Sequence, residues 1–282
     1  MGRGKADPAH RKPGLGPRPM ASPFEAGGAT RLLDGGIGTW LGSRDEALAA
    51  APHLASLNSP ELVANLHRAY VLAGAQALQA NAWLALHLKE AEAERVVRAA
   101  ADCLEDGIRD SQTPVAPFRL LSLAPGQGVP PAGRVALVDQ LGRFDAVVLE
   151  TLIDPWQLAW LAWLVEWSPV PVAATLVPDN RPDSWQPADF ASRAQRAGAR
   201  AVGVNCGYED ATGSASWAVA EMRQAVPRLA VMARPAAFDP HIWLKEAKAC
   251  IQAGAHWVGG CCGSGPEEIA RLRAALTEPC EN

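Results

Sequence analysis

Short apolar, often β-branched runs alternate eight times with longer amphipathic stretches from about residue 30 onward, and no other feature constrains the fold as strongly. The strand candidates are Arg31–Asp34, Gln76–Ala80, Phe118–Leu123, Phe144–Glu150, Val170–Leu176, Ala199–Asn205, Arg228–Ala233 and Ala255–Val258. Helices are expected at Pro60–Ala73, Ala91–Ile108, Gly133–Leu141, Trp156–Val165, Pro187–Ala197, Ser214–Val226, Pro240–Ala253 and Pro266–Leu276. Strands that follow one another through helical crossovers must be parallel. Eight such units with no second composition zone favour a closed (β/α)8 TIM barrel over an open doubly wound sheet. The 282 residues suit this, since such a barrel takes about 250.

The first 28 residues are basic and rich in Pro and Gly, with no apolar core of a signal peptide. They read as a disordered tail, leaving residues 29–278 for one barrel domain. A net charge of -4 gives no electrostatic reason to hold nucleic acid, and no apolar run approaches the roughly 20 residues that cross a bilayer. A cytoplasmic protein is expected. Its six cysteines would then be reduced, which points to metal binding or catalysis before disulfides.

The sharpest local feature is Gly259-Gly260-Cys261-Cys262-Gly263-Ser264-Gly265-Pro266, a vicinal cysteine pair between a strand and a helix. Cys206 follows a different strand in Val204-Asn205-Cys206-Gly207. In a barrel of parallel strands all three reach the C-terminal rim, where active sites are built. Three thiolates leave one tetrahedral position of Zn²⁺ open, the pattern of a catalytic site. Buried structural cysteines or a vicinal disulfide are the alternatives. Ser264 is expected to cap the last helix, with Glu267 three residues on, and that N-terminus could also receive a substrate carboxylate. Cys103, Cys250 and Cys280 fall on helices or the C-terminal tail and read as packing.

On the same rim, Asp34 and Glu150 end the first and fourth strands, Asn81 follows the second, and Gly35 opens a glycine-rich turn. The two carboxylates could pair with a substrate ammonium, or be a solvated acid and a cap. Trp40 and Trp83 also follow strand ends and could meet a cationic ligand through cation–π contact. His67 and His256 read as packed side chains. The Gly35–Gly38 run lacks the last glycine of a dinucleotide fingerprint.

These residues resemble the homocysteine S-methyltransferase family over roughly residues 30 to 276. The resemblance rests on Asp34-Gly35-Gly36-Ile37-Gly38-Thr39, Pro60-Glu61 with His67, Tyr70 and Gly74-Ala75, Glu150-Thr151, Val204-Asn205-Cys206, and Gly259–Gly263 with Pro266. It implies that Cys206, Cys261 and Cys262 ligate zinc and that Glu150 with Asp34 holds the ammonium of homocysteine. Arg234-Pro235-Ala236-Ala237-Phe238 departs from the family's Pro-Asn-Ala-Gly, Asn81 lacks its threonine neighbours, Ala124-Pro125 replaces Gly-Pro, and Glu268 stands where histidine is common. The segments around 85–118 and 128–143 are short.

The implied reaction moves a methyl group from a cationic donor, of the S-methylmethionine, S-adenosylmethionine or betaine type, onto homocysteine to give methionine. A free thiol of pKa about 8.5 is only about 3% ionised at pH 7, and coordination to zinc deprotonates it. A cationic donor leaves as a neutral molecule, so no general acid is required. The partners expected are a small thiol and a methyl donor, with the donor's identity and the oligomeric state left open. A degenerate barrel that binds a thiol or a partner without turnover is the alternative. A glycosidase built on Glu150 would need a second carboxylate about 5–10 Å away, and Ala233-Arg234-Pro235 supplies none.

Overall fold

The computed structural model describes residues 22–178, 185–207 and 214–277. Eight parallel strands form one sheet in the order β1-β8-β7-β6-β5-β4-β3-β2. They are β1 (Arg31–Leu32), β2 (Ala77–Ala80), β3 (Phe118–Leu123), β4 (Ala146–Leu152), β5 (Val172–Leu176), β6 (Ala201–Cys206), β7 (Ala230–Pro235) and β8 (Trp257–Val258). A parallel bridge between Leu33 and Ala77 joins the two ends of the series and closes a (β/α)8 barrel. Strand β3 matches its expected bounds, whereas β4, β6 and β7 run one or two residues further toward the rim. That extension matters because it brings Cys206 and Arg234 onto strand backbone and carries β4 two residues past Glu150.

The outer layer begins with three short helices absent from the sequence reading: α1 (Ile37–Gly42), α2 (Glu46–Ala50) and α3 (Ala55–Asn58). Each is at most six residues, too short to show a helical period of its own. Then come α4 (Pro60–Ala73), α5 (Glu90–Asp110), α6 (Leu158–Trp167), α7 (Pro187–Arg196), α8 (Ser214–Ala225), α9 (Pro240–Gln252) and α10 (Pro266–Thr277). The helix expected at Gly133–Leu141 is instead a 3-10 helix, Ala136–Arg143. Only eight residues lie there, and side chains of α5 fix them. Glu90 accepts from the Ala136 N–H at 2.7 Å, and Arg143 pairs with Asp102 and Glu105.

The barrel interior has two levels. Below, Leu33, Ala77, Phe118, Leu120, Ala146, Val148, Ala173, Ala201, Ala230, Met232 and Trp257 form one apolar cluster. Two residues further along (four on β6), the same inward parity brings Gln79, Ser122, Glu150, Thr175, Asn205 and Arg234, all buried. The interior thus changes from apolar to polar just beneath the rim. Residues 22–28, read from sequence as part of the tail, lie against the lower end: Phe24 is 7% exposed within the apolar cluster, and Trp257 Nε1 donates to the Pro23 carbonyl at 2.7 Å. The rest of the expected tail, and Cys280, fall outside the described residues. Among the described residues no helix is long and apolar enough to cross a membrane.

Candidate metal centre and acceptor pocket

Cys206 ends β6 with a left-handed backbone (φ 63°), a conformation that L residues adopt at a cost and that turns the side chain off the strand's regular path. Cys261 and Cys262 lie in the turn between β8 and α10. Three neighbours pin that turn. The Cys261 N–H donates to the Pro235 carbonyl at 3.1 Å, the Ala237 N–H to the Cys262 carbonyl at 2.6 Å, and the Gly263 N–H to Thr39 Oγ1 at 3.0 Å. Two glycines make the close approach possible. A Cβ on Gly263, whose φ is 80°, would collide with the Ala237 carbonyl, and one on Gly36 would collide with the Cys261 carbonyl. The β1, β7 and β8 loops therefore interlock around the vicinal pair.

The result is a cluster of three sulfurs, all within 4.8 Å of one another, with Cys206 Sγ 3.8 Å from Cys262 Sγ. Zn–S bonds of about 2.3 Å at a tetrahedral angle place sulfurs about 3.8 Å apart, so the spacing fits a single ion. None of the three is in a disulfide. Three thiolates this close repel one another, and the metal-free trio favours one ionised sulfur. Hydrogen bonds from Cys206 and Cys261 hold the Cys262 thiol far below the usual range, at about 3. Cys261 and Cys262, as the other partners, push Cys206 upward. Accumulating negative charge on all three requires a cation.

Ser264 does not cap α10 as expected. Its hydroxyl donates to the Cys261 carbonyl at 2.7 Å and accepts from the Gly36 N–H at 3.2 Å. Glu268 supplies the cap instead, its Oε2 accepting from Gly265 at 2.8 Å. The capping register is one residue later because the serine is committed to the cysteine turn, and the helix N-terminus meets a carboxylate of the chain itself. Tyr70, fully buried, donates toward the Gly36 and Ser264 carbonyls at 3.0 and 3.2 Å and ties α4 to both loops.

Below the sulfurs, Glu150 is buried and hydrogen-bonded to the Ser122 hydroxyl. Burial raises its carboxyl to about 7, with Arg234 opposing that rise. The register of β4 against β5 shifts between Leu149 and Leu152, and Thr151 takes φ 66°. Asn205 holds this bulge: its Oδ1 accepts from the Thr151 N–H at 2.9 Å and from the Thr175 hydroxyl at 2.5 Å. The residue before Cys206 thus fixes the strand end that carries Glu150.

Asp34 is fully buried and both its oxygens are engaged: Oδ1 with Arg234 Nη1 at 2.8 Å, Oδ2 with the Gln79 N–H at 2.7 Å. Burial raises its pKa, and the Arg234 charge pulls the other way. Arg234 thus bonds Asp34 and the Gly35 carbonyl while its charge, with those of Cys261 and Asp34, also acts on Glu150. Asn81 is buried to one side, donating to the Pro52 carbonyl at 2.6 Å. Trp40 packs beside α10 with one ring face covered by the Arg44 guanidinium, 3.2 Å from the ring centre. Trp83 is 40% exposed on the rim. His67 is buried in α4, and His256 Nδ1 accepts from the Val231 N–H at 3.0 Å. Arg234, Ser122 and Asn205 were not singled out from the sequence as site residues. The signal available was parity: Ser122 and Arg234 are polar residues two places beyond the inward-facing Leu120 and Met232, and Asn205 is four beyond Ala201.

The homocysteine S-methyltransferase family model matches residues 31–276. Betaine–homocysteine S-methyltransferase 1 of Xenopus laevis is 26% identical over 80% of this chain and 69% of that protein. The Danio rerio enzyme of that name is 27% identical over 47% of this chain, and the match spans 40% of its length. The Escherichia coli homocysteine methyltransferase MmuM shares the fold, with a TM-score of 0.68 at 18% identity over 88% of this chain and 96% of that one. The family match runs from β1 through α10 and takes in the whole cysteine cluster: the chain belongs to the homocysteine S-methyltransferase family of enzymes.

Proposed function

We propose that the protein transfers a methyl group from a cationic donor to the sulfur of homocysteine, forming methionine, with Zn²⁺ held by Cys206, Cys261 and Cys262. The observation that carries this reading is the three-sulfur spacing, which suits one tetrahedral ion and leaves a fourth position for the acceptor. A metallated form of the Escherichia coli relative supports it. Zinc bound there would keep the acceptor sulfur ionised at neutral pH, where a free thiol is only about 3% thiolate.

The chain's own residues would do the rest. Glu150, steadied by Ser122 and by the Asn205-held bulge, accepts the acceptor's ammonium group. Gly35 and Gly36 allow close approach of the β1 loop to the cysteine turn. The new S–C bond forms as the bond from the methyl carbon to the donor atom breaks, and that electron pair leaves on the donor as it becomes neutral. No proton need be delivered, so the reaction makes no demand for a general acid. Trp40 and Trp83 are the donor-side candidates, Trp83 being the one whose ring is open at the rim. Free thiols at the site fit a reducing compartment such as the cytoplasm.

Metal analysis and a donor screen test the proposal together. Purified protein should hold one zinc per chain, and Cys262→Ala should lose both zinc and turnover. Stoichiometric zinc without methionine formation from S-methylmethionine, S-adenosylmethionine or betaine would favour a second reading, a barrel that only binds thiols. The Asp34–Arg234 ion pair, which already neutralises a carboxylate that an acceptor's ammonium would meet, is the observation on that side.

A further inference from the structure

We infer that Arg234 removes the acceptor site's demand for an ammonium group, so that the enzyme takes carboxylate-bearing thiols with or without one. This rests on the proposal that the acceptor sulfur sits at the cysteine trio.

Asp34 and Glu150 are the two buried carboxylates available to an ammonium beneath the sulfurs. Asp34 is already neutralised from within. Arg234, itself 3% exposed, places Nη1 on Asp34 and Nη2 on the Gly35 carbonyl at 3.1 Å, and the Gln79 backbone N–H donates to the other carboxylate oxygen. The guanidinium thus stands where a substrate cation would neutralise Asp34. A second cation at that carboxylate would lie against the first and be repelled by it. Glu150 alone remains to meet the ammonium of homocysteine.

Two donors in the same layer are left over. Arg234 Nε and Gln79 Nε2 are both buried without a hydrogen-bond partner, on inward-facing positions of β7 and β2 that flank Asp34. Buried donors without partners are costly, and an acceptor's carboxylate is a group that would satisfy them. The pocket is therefore built more for a carboxylate than for a cation. A site whose polar groups wait for a substrate donor rejects an analogue without it by about 10⁴-fold or more, because those groups are then left unpaired. Here the loss of the ammonium leaves Asp34 still paired with Arg234 and Glu150 still bonded to the Ser122 hydroxyl, so the discrimination shrinks to what Glu150 alone supplies.

Zinc-loaded protein titrated calorimetrically with homocysteine and with mercaptobutanoate, the same thiol without its amino group, reads this directly. Assays of both thiols with the cationic donors give the matching kcat/KM ratio. The expected preference for homocysteine is below about a hundredfold, and a larger one overturns the inference. Arg234→Met frees Asp34 for the ammonium, and the preference should rise at least about tenfold over wild type. An unchanged ratio in a folded variant overturns the assignment to Arg234. The wild-type ratio decides alone if that variant does not fold. No methyl transfer to either thiol from any donor defeats the catalytic proposal, and the calorimetric ratio still decides this one.

Discussion

Five of the six cysteines lie in the described structure, and their surroundings divide them sharply. Cys103 is buried against the Ser56 carbonyl with its thiol raised to about 11 by burial, and Cys250 is raised by burial too. A thiol reagent attacks thiolate, so neither should react in the folded protein. Cys262 is partly exposed and ionises readily in the metal-free trio, so it should react first. Stripping zinc with a chelator is expected to expose the rim thiols to an alkylating reagent within minutes, and restoring zinc should protect them. Peptide mapping by mass spectrometry distinguishes the sites. Labelling of Cys103 or Cys250 at the rate of Cys262 would contradict the division. The vicinal pair was legible in sequence because glycines flank it on both sides. Arg234 was not, since nothing in a linear reading shows that an arginine at a strand end turns inward to a carboxylate just past β1.

Among the elements, the β1 and β8 loops depend on each other, and a single methyl group tests this. Gly36→Ala would drive its Cβ into the Cys261 carbonyl, a backbone group with no flexible end to give way. Overpacking of this kind costs about 1–3 kcal/mol, and displacement of the turn would fall on the cysteines proposed to hold zinc. Competition with a chromophoric chelator should show weaker zinc binding along with the lower melting temperature; loss of stability with zinc affinity intact would count against the interlock. The α4–α5 crossing carries a different signature. His67 is buried there beside Gly107, both ring nitrogens lack a partner, and burial lowers its pKa from 6.5 to about 3. The unfolded chain therefore takes up a proton below about pH 6.5 that the folded chain refuses until near pH 3. Stability falls across that window as pH drops, by up to roughly 4 kcal/mol. Denaturant melts at pH 7 and pH 4 should show the loss, and His67→Leu should flatten it. The eight strands were readable as short continuous apolar runs, because a parallel strand is buried on both faces, and the longer helices by the 3.6-residue period of one buried face. Helices α1 to α3 and the Ala136–Arg143 turn were not, being too short for any period to declare itself.

At the scale of the molecule, the barrel keeps its stability and its chemistry at opposite ends. The lower interior is apolar and sealed by Phe24 and by the Pro23 carbonyl bonded to Trp257, while Phe118 packs edge-on to that tryptophan with ring centres 5.9 Å apart. The upper interior is a polar layer in which Asn205, Ser122 and Arg234 fix the groups beneath the sulfurs. The same strands pass through both levels, so a change at the bottom reaches the top only if the strands themselves move. Phe24 is anchored by a segment ahead of β1, outside every strand and helix, and its removal need not shift any of them. Phe24→Ala is therefore expected to cost about 3 kcal/mol, the usual loss for a buried aromatic, with zinc content, acceptor affinity and the homocysteine-to-mercaptobutanoate ratio unchanged. Chemical denaturation gives the first quantity, and metal analysis with calorimetry gives the others. A variant that loses zinc in step with stability would show instead that the lower seal sets the height of the strand ends, and that the two levels act as one.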